Sequence, residues 1–162
     1  MLKKIFLASD HGGYRLKELV KDFLNKKKQP TEDLGCFSLD AVDYPDYAKL
    51  LSDKLKNDLN SQGILFCGTG IGISIAANRH SHIRAALCTT AEMASKSRKH
   101  NNANVLALGG RIITDSSALD IVYEFLNTDF EFMLTDKNIE QLKQHFNVKV
   151  TGVLGYVEFT KK

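Results

Sequence analysis

Short apolar runs alternate with longer amphipathic segments over the first 127 residues of the chain. The runs are apolar at nearly every position, which is typical of strands buried on both faces of a sheet. The segments between them are long enough to serve as crossover helices. The pattern therefore predicts a parallel sheet built from βαβ units. The clearest pairs of strand and helix are residues 5–8 with 14–27, 64–67 with 71–78, 83–88 with 91–99, and 105–108 with 116–126.

Two weaker signals complete this part of the chain. Residues 31–35 predict a second strand, and residues 46–59 repeat their apolar positions close to helical spacing. Together with the clearer pairs, they predict an α/β fold with a five-stranded parallel sheet.

The remainder of the chain has a different pattern. Residues 138–146 predict one further helix, and a β-branched stretch and a tail follow it. Because 162 residues suit one domain with a substantial core, we expect a single domain over residues 1–162. Its core should lie in residues 3–127, with a C-terminal helix and tail in residues 128–162.

The composition changes this picture little. Hydrophobic residues make up 43% of the chain and charged residues 25%, which excludes wholesale disorder. The formal net charge is +3, and the most basic run, Lys26 to Lys28, falls where a helix is predicted to end. Cations there complement the helix dipole, so we expect no nucleic-acid partner.

The N-terminal segment and the cysteines favour a cytoplasmic location. The first apolar run ends at Asp10 and His11, so it lacks the features of a signal peptide. No stretch reaches the roughly 18 apolar residues that a bilayer span needs, so we expect no membrane partner. Cys36, Cys67 and Cys88 show no CxxC spacing, which argues against disulfides and a zinc site.

Polar residues and glycines follow the predicted strands at their carboxyl ends. In an open parallel sheet, ligands bind in the crevice at this edge. The residue types that converge there include Asp, His, Cys, Thr and Arg, a combination expected of an active site. The segments are Ser9 to Gly13 after the first strand, Cys67 to Gly72 after the third, Thr89 and Thr90 after the fourth, and Gly109 to Arg111 after the fifth.

The glycine-rich segment GTGIG at residues 68–72 matches neither common nucleotide-binding motif. A dinucleotide fingerprint needs a glycine where this chain has Ile73, and a P-loop needs a lysine after the glycines. What remains is a set of backbone N–H groups at a helix N-terminus, where negative charge is stabilised. We favour an anion-binding loop over the alternative, a tight turn whose glycines serve only packing.

Cys67 differs from the other two cysteines in its position. A cysteine on a buried strand is usually a small hydrophobic residue, and we interpret Cys36 and Cys88 in that way. Cys67 closes its strand beside a helix N-terminus, where the thiolate is favoured as a base or nucleophile. This position makes Cys67 the candidate catalytic cysteine.

The histidines and Asp10 leave alternatives open. Asp10 could cap a helix, but the glycines that follow His11 favour ligand binding. On pattern alone, His100 is a helix C-terminal residue with a favourable dipole contact. His80 and His82 lack further metal ligands at suitable spacing, and we interpret them as surface residues.

Several separate segments together resemble the ribose-5-phosphate isomerase B and galactose-6-phosphate isomerase subunit family. The likeness covers about residues 3–127. Its segments are SDHGG after the first strand, DYPDYA at residues 43–48, CGTGIGISIAAN at residues 67–78 and RKHNNANVLALGGR at residues 98–111.

The resemblance implies a Rossmann-like three-layer α/β/α sandwich that is active as a homodimer or homotetramer, with active sites at the subunit interface. It implies aldose–ketose isomerisation of a sugar phosphate, most directly ribose 5-phosphate to ribulose 5-phosphate, with no metal and no cofactor. Cys67 would be the base, Thr69 would shuttle a hydroxyl proton, and His100 would open the sugar ring. Substrate-binding residues would be Asp10, His11, Gly68, Gly70, Ile71, Gly72, Asn101 and Arg111.

The chain departs from the family at the phosphate. Family members typically carry a GGRHxxR-like segment whose two arginines bind phosphate, whereas residues 132–138 read FMLTDKN, with Leu134 and Asn138 at those places. An arginine fork binds phosphate in a way that one lysine does not reproduce. Three explanations stay open. Phosphate could be held by Arg111, His11 and Lys137, the sugar could differ, or a partner subunit of a hetero-oligomeric hexose-6-phosphate isomerase could supply the arginines. As an alternative function, the chain could be a non-catalytic paralogue that binds a sugar phosphate.

Overall fold

The computed structural model describes residues 3–58, 60–131, 148–151 and 156–159. The chain divides into two units, Met1–Phe130 and Glu131–Lys162. In the second unit, two antiparallel strands pair with each other. The helix predicted for residues 138–146 lies outside the described residues, and the single-domain boundary stays a prediction.

The first unit alternates strands and helices as the hydrophobic pattern predicts. The strands are β1 (Ile5–Ser9), β2 (Thr31–Asp33), β3 (Gln62–Cys67), β4 (Ala85–Leu87) and β5 (Val105–Gly109). The helices are α1 (Tyr14–Lys26), α2 (Tyr44–Lys56), α3 (Ile71–Ala77), α4 (Ala91–Asn101) and α5 (Asp115–Asn127). The pair in the second unit is β6 (Val148–Thr151) and β7 (Tyr156–Phe159).

The five strands of the first unit are parallel and lie in the order β2-β1-β3-β5-β4. From β1 the chain moves outward to β2 and then returns to the other side of β1 as β3. The boundary between β1 and β3 is therefore a topological switch point, where the loops at the carboxyl ends diverge and leave a crevice. Register pairs Ser9 with Phe66 and Cys67 with Gly109, so these strands end level with one another.

Helices cover both faces of the sheet, which confirms the three-layer α/β/α arrangement. Successive strand residues point to opposite faces. Ile64 and Phe66 join the core formed with α1, α4 and α5, whereas Leu65 and Cys67 join the core formed with α2 and α3. Cys67 thus ends its strand on the side of the sheet that α2 and α3 cover.

Three element boundaries differ from the sequence prediction. β4 has only the residues Ala85–Leu87, because it is the edge strand and has a neighbour on one side only. α2 begins at Tyr44 with Pro45 in its first turn, two residues before the predicted start at residue 46, because proline's missing N–H costs no hydrogen bond there. α4 extends to Asn101, so His100 lies inside the helix rather than after it.

Candidate active site

The loops after β1 and β3 meet in the crevice at the switch point. Gly12 lies against the second loop, where an added Cβ would be 2.9 Å from Gly68 N. Because a side-chain carbon does not fit at that separation, glycine is what lets the two backbones approach. The structure thus brings the segments Asp10 to Gly13 and Cys67 to Gly72 to one edge of the sheet.

Cys67 lies at the centre of this edge. Its side chain is 4% exposed, and its Sγ accepts a hydrogen bond of 3.1 Å from the backbone N–H of Gly70. Gly70 has a φ of 78°, in the left-handed region that favours glycine, and this turn directs its N–H back toward the sulfur. The loop thus supplies a backbone hydrogen-bond donor to the sulfur at the end of β3.

The other two cysteines have different surroundings. Cys36 Sγ lies 3.6 Å from Ser9 Oγ and donates to the carbonyl of Ser38 at 3.3 Å. Burial raises the pKa of the Cys88 thiol to about 11, against a smaller opposing effect of the Ser97 hydroxyl. Cys88 is therefore a protonated, buried thiol, as the sequence interpretation expected of a structural cysteine.

The glycine-rich loop already uses two of its amides internally. Besides the Gly70 N–H, the Ile71 N–H donates to Thr69 Oγ1 at 3.3 Å. Thr69 is exposed, so its hydroxyl lies at the mouth of the crevice beside the buried sulfur of Cys67. A bound anion would compete with these two acceptors for the loop amides.

Arg111 extends the site from the end of β5. Its backbone N–H donates to Gly68 O at 2.9 Å, and the Gly110 N–H donates to Cys67 O at 2.8 Å. The Arg111 side chain lies over the loop, since a Cβ at Gly68 would be 3.5 Å from Arg111 Nη1. Arg111 is exposed and forms no ion pair with the described residues, so its charge is available to an anion at this edge.

Asp10 and His11 close the opposite side of the crevice. Asp10 is buried, and its Oδ1 accepts the Gly13 N–H at 2.9 Å. His11 Nδ1 lies 3.2 Å from both the N and the O of Val42. When Val42 N–H donates to Nδ1, the imidazole proton resides on Nε2. The loop after β2 thereby sets the orientation of His11.

Tyr44 is a site residue that sequence reasoning missed. Its ring packs on the start of α3, where a Cβ at Gly72 would lie 2.8 Å from Tyr44 Cζ. The motif DYPDYA carried a signal, because Pro45 favours a helix start and so places Tyr44 at the first turn of α2. The motif does not reveal that this turn faces the glycine-rich loop.

A buried ion-pair network was also missed. Lys17 has no exposed surface and contacts both carboxylate oxygens of Asp33 at 2.6 Å. Burial alone would raise the pKa of Asp33, but Lys17, Lys21 and the N–H of Gly35 together lower it. Asp33 Oδ1 accepts that N–H at 3.0 Å, so the network fixes the start of the loop that orients His11.

His100 and Asn101 lie at the other edge of the sheet. Both are exposed residues in the last turn of α4, which begins at the carboxyl edge after β4 and returns to the amino edge. Its 11 residues span about 16 Å. The structure therefore does not bring these two predicted site residues to Cys67 of the same chain.

The described residues hold neither a metal-ligand cluster nor a membrane-spanning helix. Among the described residues, no group of three His, Cys, Asp or Glu side chains is arranged to hold a metal ion. Each described helix is too short or too polar to span a bilayer.

His82, which we expected at the surface, is half-buried. Its Nε2 lies 2.8 Å from Ser52 O, and this contact holds the ring against α2.

Comparison with known proteins places this geometry among sugar isomerases. Residues 5–142 match the family model described as Ribose/Galactose Isomerase. The chain is 42% identical over 140 residues to the probable ribose-5-phosphate isomerase B of Mycoplasma genitalium, covering 85% of this chain and 92% of that protein. It is 39% identical over 130 residues to ribose-5-phosphate isomerase B of Escherichia coli, covering 80% and 87%.

Solved structures agree with these matches. A ribose 5-phosphate isomerase structure from Thermotoga maritima superposes with a TM-score of 0.80 at 46% identity, covering 88% of this chain and 98% of that one. The Mycoplasma genitalium ribose-5-phosphate isomerase B with bound ribulose-5-phosphate gives a TM-score of 0.79 at 41% identity, covering 90% and 97%.

Proposed function

The chain belongs to the ribose/galactose isomerase family, and from that premise we propose that this isomerase interconverts ribose 5-phosphate and ribulose 5-phosphate. The observation that carries the proposal is the Cys67 thiol, held by the Gly70 N–H at the switch-point edge of the sheet. A relative with 41% identity binds ribulose-5-phosphate, which supports the choice of a pentose phosphate.

The proposed chemistry is a proton transfer between adjacent carbons. Cys67 removes the proton from C2 of the open-chain aldose and returns it to C1, while a second proton moves from O2 to O1 by way of the Thr69 hydroxyl. Negative charge develops on the enediolate oxygens between these steps. Backbone N–H groups of the glycine-rich loop then stabilise charge that is absent from the bound sugar.

We infer that a second copy of the chain completes the site. Cys67 lies at the carboxyl edge and His100 and Asn101 at the amino edge, so one chain does not complete the site by itself. In a homodimer, the last turn of α4 from one copy reaches the crevice of the other. As the ring opens, His100 donates a proton to the ring oxygen while the proton of the O1 hydroxyl passes to solvent, and Asn101 holds sugar hydroxyls.

Exposed apolar side chains beside the crevice support this assembly. Ile71 and Ile75 are 52% and 61% exposed on α3, and residues four apart share one helix face. Phe37 and Leu39 are also exposed, in the loop that follows β2. Burying such a patch favours association, and it adjoins the site that the partner must complete.

Subunit mixing tests the shared site. We expect Cys67→Ala and His100→Ala to be inactive separately and to regain activity when they are unfolded and refolded together. Random pairing makes half of the dimers mixed, each with one intact site, so recovery should approach about a quarter of wild-type activity. Cys67→Ala mixed with Thr69→Ala is the control, because both defects lie at the same edge and no intact site forms.

The phosphate end of the substrate is assigned to Arg111 and His11. Arg111 lies over the glycine-rich loop as a cation without an ion-pair partner among the described residues. His11 belongs to the loop after β1, which meets that loop, and its ring is held in place by Val42. Lys137, the third phosphate candidate, lies outside the described residues, as do Leu134 and Asn138.

The absence of the two family arginines from the sequence favours a second candidate function. The chain would then be one subunit of a hexose-6-phosphate isomerase of the galactose-6-phosphate type, and its partner would supply those arginines. A panel of five- and six-carbon aldose phosphates, assayed with the purified chain alone, separates the two. Turnover of ribose 5-phosphate supports the proposed function, and inactivity with every sugar until a related subunit is added contradicts it.

We also infer a cytoplasmic location from the cysteines. All three thiols are free and buried, and proteins of reducing compartments retain unpaired thiols.

A further inference from the structure

Arg98 is a buried cation in the last part of α4. It is 4% exposed, and its guanidinium lies 5.6 Å from the centre of the Phe125 ring. Burial lowers its pKa, with Arg84 acting in the same direction and Asp129 against it, but an arginine stays charged at neutral pH. A buried charge is costly unless hydrogen-bond acceptors surround it.

The groups that accept hydrogen bonds from Arg98 lie just after α4 and just after α5. Nη1 donates to Asn102 Oδ1 at 3.2 Å and to the carbonyl of Ala103, and Nε donates to Thr128 O at 3.2 Å. Arg98 therefore ties the residues that follow α4 to the residue that follows α5. The cation also complements the negative end of the helix dipole.

Asn102 receives a second anchor. It caps α4 with a φ of 47°, in the left-handed conformation that commonly ends helices, and its carbonyl accepts from Arg84 Nε at 2.7 Å. The chain is thus fixed on both sides of His100 and Asn101, although these two side chains are themselves exposed.

We propose that Arg98 is a positioning residue, which holds the last turn of α4 so that His100 and Asn101 enter the partner copy's site in the productive orientation. This inference rests on the shared site proposed above. Displacements of about 1 Å can reduce turnover about 100-fold, so a clamp on this turn acts on catalysis without touching the sugar.

Comparing two rates, turnover of ribose 5-phosphate and hydrogen exchange of ribulose 5-phosphate, distinguishes a positioning role of Arg98 from a loss of stability. Ribulose 5-phosphate has no free hydroxyl at C5 and stays open-chain, so exchange of its C1 hydrogen with solvent needs Cys67 but no ring opening. For Arg98→Met we expect turnover of ribose 5-phosphate to fall about 10- to 100-fold, while exchange at saturating ribulose 5-phosphate stays within about twofold. Arg98→Lys should recover part of the lost turnover, because it restores a cation.

Two further variants guard against misfolding. Asn102→Gly keeps the left-handed cap but removes one acceptor of Arg98, and it should show the same split in milder form. Leu55→Ala in α2 opens the core on the opposite face of the sheet from this clamp and should lower the melting temperature while leaving both rates unchanged. Equal losses of turnover and exchange in Arg98→Met and Asn102→Gly would overturn the proposal.

Subunit mixing locates the effect. Arg98→Met should regain activity with Cys67→Ala, because the intact site takes its thiol from one chain and its clamped α4 from the other, but not with His100→Ala. Recovery of His100→Ala but not of Arg98→Met by Cys67→Ala overturns the positioning role and leaves the shared site standing. Failure of both overturns the shared site and the positioning role with it.

Discussion

Cys67 and Cys88 are both buried cysteines, and they differ in what faces the sulfur. Cys67 Sγ receives a backbone N–H, whereas Cys88 lies in an apolar core that raises its pKa to about 11. We expect Cys67→Ala to lower kcat at least about 1000-fold, because it removes the base, and Cys88→Ala to keep most of the activity. Steady-state assays with ribose 5-phosphate measure both, and circular dichroism checks that both fold. Full activity of Cys67→Ala contradicts the assigned base.

At the scale of single residues, the sequence predicted which of the candidate site residues share one edge of the sheet. Cys67 ends a strand and Asp10 and Arg111 follow strands, and parallel strands place their ends at one edge whatever the details of packing. His100 follows no strand, and pattern alone gives it only a helix-end role. Its proposed role comes from the family resemblance alone. The hydrophobic pattern of one chain carries no information about contacts with a second copy.

Lys17 shows how elements are joined, since it links α1 to β2 through Asp33. Removing one partner of a buried ion pair leaves the other charge buried without a counter-charge. We expect Lys17→Met to lower the free energy of unfolding by about 3 kcal/mol, measured by urea denaturation. Lys21→Met is the matched control, because Lys21 also contacts Asp33 but is a quarter exposed, and it should cost less than about 1 kcal/mol. Equal losses would show that burial is irrelevant to this pair.

The same network predicts a pH dependence. The pKa of Asp33 in the folded chain lies below its ordinary value of 3.8, so its contribution to stability is complete above pH 3.8 and disappears as pH falls through the lower, folded value. Wild type should therefore lose stability more steeply than Asp33→Asn below pH 3.8. Thermal melts at a series of acidic pH values measure this, and parallel curves would contradict the assignment.

At the scale of elements, periodicity predicted every strand of the parallel sheet, and the errors have physical causes. β4 is shorter than its apolar run because an edge strand pairs on one side only. α4 is longer than predicted, and Arg98 and Arg84 donate to the carbonyls of the two residues that follow it, which are tertiary contacts that local composition does not reveal. The Lys17 network was missed for the same reason, since a lysine ordinarily indicates an exposed helix face.

At the scale of the whole molecule, assembly should control activity. Ile75 is 61% exposed on the helix beside the crevice, and a charge there opposes the burial that association needs. We expect Ile75→Asp to give a folded, monomeric and inactive chain, and wild-type specific activity to fall on dilution as dimers dissociate. Sedimentation and activity assays over a range of concentrations measure both.

Tyr123→Asp is the matched control, because Tyr123 is 51% exposed on α5, away from the crevice. It should change neither the oligomeric state nor the activity. A monomeric Ile75→Asp that keeps full activity contradicts the need for a second copy.

The separation of Cys67 and His100 on opposite edges of one sheet also bears on how such a gene can evolve. If the site is shared between two copies as proposed above, then after a duplication one copy can lose its thiol and the other its histidine, and a mixed pair still retains one working site. Selection on the pair would then preserve both genes, although neither product works alone. Divergence into obligate paralogues therefore needs no new residue, only complementary losses.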